Sequence, residues 1–203
     1  MISRKMKKRN FTEADLDDVA DDQDYAHCQF DGLSLKHKDL SHSTFTECTF
    51  RNADLTDARL NGCEFVNCDL SNVKLAGANL FSARFSGCKL LGLNLTEGTT
   101  LTATKFSRCN FDYARLRGLA LENMAFSECS FVEADLSLTN LKKATFLKCN
   151  LEGVDWSEAE FFQTDLRGSQ LAGLSVCKGN FKGAIISAEQ AAELARELGL
   201  QVI

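Results

Sequence analysis

The stretch CTFRNADLTDARLNGCEF, residues 48–65, decides the fold, because Phe50, Leu55, Leu60 and Phe65 fall five residues apart. An α-helix needs apolar residues at spacings of three and four, and a half-buried strand needs them at spacings of two. A period of five would scatter these side chains around a helix axis and throw them onto alternate faces of a strand. It suits a backbone that turns a corner every five residues and keeps one large side chain inside on each side.

The period is long. From Phe30 to Leu95 all 14 fifth positions are Leu or Phe. One extra residue enters in LTEGTTL between Leu95 and Leu101, and the period resumes to Ile186 with Leu or Phe at 15 of 18 positions. The exceptions, Trp156, Val176 and Ile186, are apolar. The residue two places earlier is usually small, as in the run Ala53, Ala58, Cys63, Cys68, Val73, Ala78 and Ala83, and the other three positions are mostly polar or Gly.

A second period sets the number of corners in a circuit. Phe45, Phe65, Phe85, Phe106, Phe126 and Phe146 lie twenty residues apart, allowing for the insertion. So do Cys28, Cys48, Cys68, Cys88, Cys109, Cys129 and Cys149. Four units per turn stack each set into a column, which predicts an all-β, four-sided solenoid of about eight coils. At roughly 4.8 Å per coil the rod is roughly 40 Å long.

The consensus closely resembles that of the pentapeptide-repeat proteins over about residues 25–186. The resemblance implies a right-handed quadrilateral β-helix, the handedness coming from the family. Three segments follow: an N-terminal cap or arm over 1–24, the solenoid over 25–186, and a C-terminal helix and tail over 187–203.

Both ends of a solenoid must be covered. Residues 1–24 break the period and carry a basic run, Arg4, Lys5, Lys7, Lys8 and Arg9, followed by acids from Glu13 to Asp24 that largely cancel its field. At the other end Ser187 and Gln190 stand in capping-box spacing, and Gly199 marks a helix stop. Ala191, Leu194, Ala195 and Leu198 form an apolar stripe that Leu200, Val202 and Ile203 continue. A short helix this apolar on one side either folds over its own last coil or pairs with another copy. The pattern QAxxLxxxLGLxVI over residues 190–203 resembles the C-terminal segment of the Qnr quinolone-resistance proteins. Those proteins, and a similar mycobacterial relative, are dimers joined through this helix, and they bind DNA gyrase and topoisomerase IV as rods resembling B-DNA. The resemblance implies a homodimer interface at these seven apolar residues and a type II topoisomerase partner. This chain departs from the Qnr pattern in lacking two projecting loops, having only the single-residue interruption near Gly98.

Catalytic chemistry is not expected. No nucleophile elbow, phosphate loop, HExxH or CxxC occurs, and a core packed with Leu and Phe leaves no interior pocket. The cysteines occupy the small inward position, where a thiol packs as a small hydrophobe, and only Cys177 falls in an outward position. His27, His37 and His42 sit on three different faces and cannot converge on a metal. No cofactor and no metal site is therefore read. With no apolar span and no secretory signal, the expected compartment is the cytoplasm, and neither a membrane nor a nucleic acid is an expected partner.

Charge is the remaining signal. The net charge is -5, but residues 25–186 hold 18 acids against 17 bases, which excludes a uniform polyanion. On the face bearing the cysteine column, Asp112, Glu133 and Glu152 stand in units without a base, as do Asp135, Asp155 and Glu158 on the adjoining face. Together they form a candidate acidic strip facing a basic, DNA-binding partner surface. The alternative function is a general scaffold, for which the outward Phe81 and Phe162 would serve as contacts.

Overall fold

A computed structural model of the chain describes residues 4–95, 98–173 and 181–203. Its spine is an eight-stranded parallel sheet in which every strand pairs with the next in sequence. The strands are β1 (Arg4–Lys7), β2 (Gln23–Ala26), β3 (Thr44–Thr46), β4 (Glu64–Val66), β5 (Arg84–Ser86), β6 (Lys105–Ser107), β7 (Ala125–Ser127) and β8 (Thr145–Leu147). The register repeats every turn, with Phe45 opposite Phe65, Phe65 opposite Phe85, and Phe85 opposite Phe106 across the insertion. Consecutive single-residue bridges on the other three sides do the same work, as in Asp54 with Lys74 and Arg59 with Asn79. The result is a four-sided β-solenoid of about seven turns, with one short helix, α1 (Ala188–Glu197), at its C-terminal end.

The corners explain the period of five. On the three sides of the rod that carry no strand, the amide three residues after the large inward residue donates back to that residue's carbonyl: Ala53 to Phe50, Ala58 to Leu55 and Cys63 to Leu60, all at 3.0–3.1 Å. The residue two places after the inward one takes a positive φ, between 50° and 62° where it is not Gly. That is the third residue of a turn of the type II kind, which favours Gly and Asn. The polar-or-Gly position of the repeat is this corner.

Inside, the large side chains stack by type. Tyr25, Phe45, Phe65 and Phe85 lie ring on ring at 4.7–4.9 Å along the strand face. Phe11, Phe30 and Phe50 form a second stack at 4.6 Å on the next face, which also carries the cysteine column. Edge-to-face contacts such as Phe45 with Phe50 at 5.1 Å bind the two stacks together.

The segment before the regular repeat joins the solenoid. β1 extends the ladder, and Met6, Phe11 and Val19 point inward. A 3₁₀ helix, Glu13–Asp18, takes the place of one side of this first coil. Lys38 donates to its Leu16 carbonyl at 2.7 Å, and its Glu13 accepts from the Ser34 amide at 3.0 Å.

Candidate functional site

Three acids in the N-terminal half meet an arginine one coil further on. Arg51 reaches Asp31 at 2.6 Å, Arg59 reaches Asp39 at 2.7 Å and Arg84 reaches Glu64 at 2.7 Å, each pair twenty residues apart. Asp54 is held between Lys36 and Lys74. The Ser41 hydroxyl, and after it Arg59, keep the Asp39 carboxyl below the ordinary carboxylate range. Exposed pairs of this sort contribute about 0–1 kcal/mol each, so their main effect is to neutralise the surface.

The candidate acidic strip is different. Among the described residues Asp112, Glu133, Asp135, Glu152 and Glu158 enter no ion pair. The position one coil above is Val132 for Asp112, Gly153 for Glu133, Asp155 for Asp135 and Ala172 for Glu152, so no cation stands where Arg51, Arg59 and Arg84 stand lower down. Asp135 and Asp155 pair in the ladder, and each accepts from the amide two residues on, Ser137 and Ser157, at 2.9 Å. Asp112 turns partly inward, accepting from Ser130 Oγ and from the Val132 amide. Glu133, Glu152, Asp155 and Glu158 are exposed. The strip therefore runs round one corner of the rod, from Glu133 and Asp135 to Glu152 and Glu158 one coil above, with Asp112 as a structural member. An arginine twenty residues after the acid is the sequence signal that sets Asp31, Asp39 and Glu64 apart from Glu133 and Glu152.

Two bulky residues frame this surface. Tyr113 stands one coil below Glu133, and Leu138 one coil below Glu158, both exposed and both at positive-φ corners. Phe81 and Phe162 are exposed on another side, as their outward positions imply.

The thiol column is interior. Cys68, Cys88 and Cys109 are buried, and their Sγ atoms donate to the carbonyls of Phe45, Phe65 and Phe85 in the coil below at 3.2–3.5 Å. Thr104, Thr164 and Ser169 fill the same slot and make the same bond at 2.7–2.8 Å. The small inward position thus supplies a donor to a corner carbonyl. Burial pushes the Cys63 thiol up to about 12, far from a reactive thiolate. Cys177 lies outside the described residues. The three histidines occupy corners, His27 beside Glu47 at 3.2 Å and His37 beside Asp57 at 3.7 Å. Among the described residues no group of three or more His, Cys, Asp or Glu is placed to hold a metal ion.

At the C-terminal end α1 folds over the last coil. Ser187 and Gln190 form a reciprocal capping box. The buried Gln190 side chain also donates to the carbonyls of Leu166 and Ser169 at 2.8 and 2.7 Å, and Leu194 packs against the core. Ala195 is half-buried, whereas Ala191, Leu198, Leu200, Val202 and Ile203 face solvent. The apolar stripe is therefore split between a plug and an exposed tail.

Two features lie beyond the sequence reading. At the N-terminal end Arg9 lies over the Phe11 ring, 4.6 Å from its centre, and bonds to Asp15 and Asp18 across the mouth of the coil. This member of the basic run is a lid. In the wall, outside the filled core, a cleft of about 1100 Å³ opens between residues 99–107 and 119–127. The core residues still fill the interior; the coils part beside them.

The sequence profile described as "Pentapeptide repeat region" matches residues 21–95 and 99–176. No curated protein sequence matches the chain. Among solved structures, full-length QnrB1, a plasmid-mediated fluoroquinolone resistance protein, superposes with a TM-score of 0.81 at 18% identity, covering 98% of each chain. A trypsin-treated, singly substituted form of QnrB1 gives 0.82 at 19% over 100% of each chain. At that identity the likeness is one of fold, and it extends over the whole rod. With the repeat matched over most of its length, the chain belongs to the pentapeptide-repeat family.

Proposed function

We propose that this protein is a non-catalytic, cytoplasmic rod that dimerises through its C-terminal tail and binds a type II topoisomerase, DNA gyrase or topoisomerase IV, in place of DNA. The observation that carries this reading is the acidic corner over Glu133, Asp135, Glu152 and Glu158, which enters no ion pair among the described residues, on a rod where Asp31, Asp39 and Glu64 are each met by an arginine one coil above. Charges without an internal partner are available to a basic, DNA-binding surface. The full-length likeness to a fluoroquinolone resistance protein supports the choice of partner. Exposed Leu198, Leu200, Val202 and Ile203 support the tail as the contact between copies.

The test is a gyrase supercoiling assay and a quinolone-induced cleavage assay with the purified protein. Micromolar protein is expected to inhibit the first or protect in the second, with the effect falling as salt rises. Glu133→Lys with Glu152→Lys should weaken it about tenfold or more. No effect at micromolar concentration, or an effect indifferent to salt and to the double reversal, would overturn the proposal. The second reading is a scaffold for another protein, favoured by the exposed Phe81 and Phe162.

A further inference from the structure

Inter-coil hydrogen bonds close the wall of the rod coil after coil, but they lapse on two adjacent sides between the coils at 99–105 and 119–125. One coil below, the Leu80, Ser82, Thr100 and Lys105 amides donate to the carbonyls of Thr100, Thr102, Ala78 and Ala83 at 2.9–3.0 Å. The equivalent bonds from the amides of Leu101, Ala103, Ala120 and Ala125 do not form among the described residues. The bridge series on this side runs Asn79 to Thr100, then Ala120 to Asn140, with no link from Thr100 to Ala120. β6 and β7 pair through two residues where the neighbouring strands pair through three. Phe106 and Phe126 stand 5.8 Å apart, against 4.6–5.1 Å for every other stacked pair among the described residues. The opposite side stays shut, with Phe111 on Phe131 at 4.8 Å.

The sequence is trimmed at this opening. The residue before each large inward one is polar or charged along nearly the whole rod, yet on the upper lip it is Ala120 and Ala125, and the lower lip has Ala103 at a corner. Leu119 and Met124, in slots that are fully buried in most coils, are partly exposed here. The cleft thus presents two strand edges whose amides and carbonyls are unbonded among the described residues, methyl-sized side chains beside them, an apolar floor, and Arg84, Lys105 and Glu122 in its lining. A small polar ligand would leave that floor unused, and an apolar molecule would leave the backbone groups unbonded. An extended chain satisfies both, since its backbone continues a parallel ladder and its alternate side chains reach the floor.

We infer that this cleft is a β-augmentation site, which takes an extended segment of a partner protein with apolar side chains at alternate positions. It lies apart from the acidic corner and does not depend on a topoisomerase being the partner.

Hydrogen exchange on the full chain, with a synthetic peptide copying residues 119–127 as probe, tests the inference. That segment occupies the corresponding position in an unbroken ladder. In the free protein the amides of Leu101, Ala103, Ala120 and Ala125 should exchange on the order of a hundredfold faster than those of Leu80, Ser82, Thr100 and Lys105. The peptide should slow the first set and leave the second unchanged. Ala120→Pro, which removes an amide with no partner, should keep the melting temperature but weaken peptide binding about tenfold. Asn140→Pro, which removes an amide bonded to the Leu119 carbonyl, should lower the melting temperature. Equal protection of the two sets, or fast exchange that the peptide leaves unchanged at millimolar concentration, overturns the proposal, as does an equal loss of stability in the two proline variants.

Discussion

At the scale of single residues, each unit makes two demands: a large apolar side chain inside, and a backbone that tolerates positive φ two places later. The second demand is met by Gly at some corners and by Asn, Asp, His, Glu or Lys at others. Because the fold imposes the conformation, the cost of a side chain there can be isolated. Gly118 has φ +72°, and a Cβ built on it meets nothing within 4 Å. Gly118→Ala should therefore cost about 1 kcal/mol, from backbone strain alone. At Gly183, φ +85°, the same methyl would lie 3.2 Å from the Phe162 Cα, so Gly183→Ala should cost more. Denaturant midpoints of the two variants measure both values, and equal costs would show that the Phe162 contact yields freely. The period of five was legible because these demands recur at every corner. Which acids are neutralised was less so: Asp31 finds Arg51 and Glu64 finds Arg84 only across a full coil, at a separation that becomes visible once the circuit length is known.

At the scale of elements, the ends and the opening show how a coil is sealed or left unsealed. The N-terminal coil uses a clasp: Arg9 covers the exposed end of the Phe11 stack and is held by Asp15 and Asp18. Hydrogen bonds from Thr12, and then from Arg9, depress the Asp15 carboxyl to about 2 from an ordinary 3.8. A carboxylate with a depressed folded value stabilises fully above its unfolded value and loses that contribution as pH falls through the folded one. The clasp should therefore hold above about pH 4 and open as pH falls toward 2, while the coils beyond it stay folded. Proton-resonance titration of the Phe11 ring would follow this, and Asp15→Asn should abolish the transition. A Phe11 environment unchanged down to about pH 2 would show that the ring needs no lid. The sequence did not disclose the clasp, because Arg9 reads as one more member of a basic run until Phe11 is known to end a stack. The mid-rod cleft was hidden for a different reason. Parting two coils leaves the inward residues Leu101, Phe106, Leu121 and Phe126 unchanged, and the departures that mark it, Ala120 and Ala125, are individually neutral.

At the scale of the whole molecule, the C-terminal segment plugs the last coil and, in the proposed dimer, also joins two copies, and one deletion cannot separate the two. Gln190 and Leu194 plug the last coil, with the Gln190 amide bonded to two carbonyls that would otherwise face the open end. Removing residues 187–203 would strip that plug and expose core, so a lost dimer could reflect a frayed rod. Residues 200–203 contribute to the helix only the Leu200 amide, which donates to the Ala195 carbonyl at 2.9 Å, and Leu200, Val202 and Ile203 are exposed. Deleting only these four should leave the melting temperature within about 2 °C, since surface changes away from buried partners rarely exceed about 0.5 kcal/mol. On the proposed dimer, sedimentation should show a monomer for that truncated chain and a dimer for the full chain. In contrast, Gln190→Ala should destabilise by about 1–3 kcal/mol, because it leaves the Leu166 and Ser169 carbonyls without their donor. It should leave the dimer intact at temperatures where the rod is folded. If the four-residue truncation stays dimeric with an unchanged melting temperature, the contact between copies lies elsewhere on the rod. If Gln190→Ala is as stable as the parent, the helix does not plug the coil, and the whole terminal segment becomes available for association.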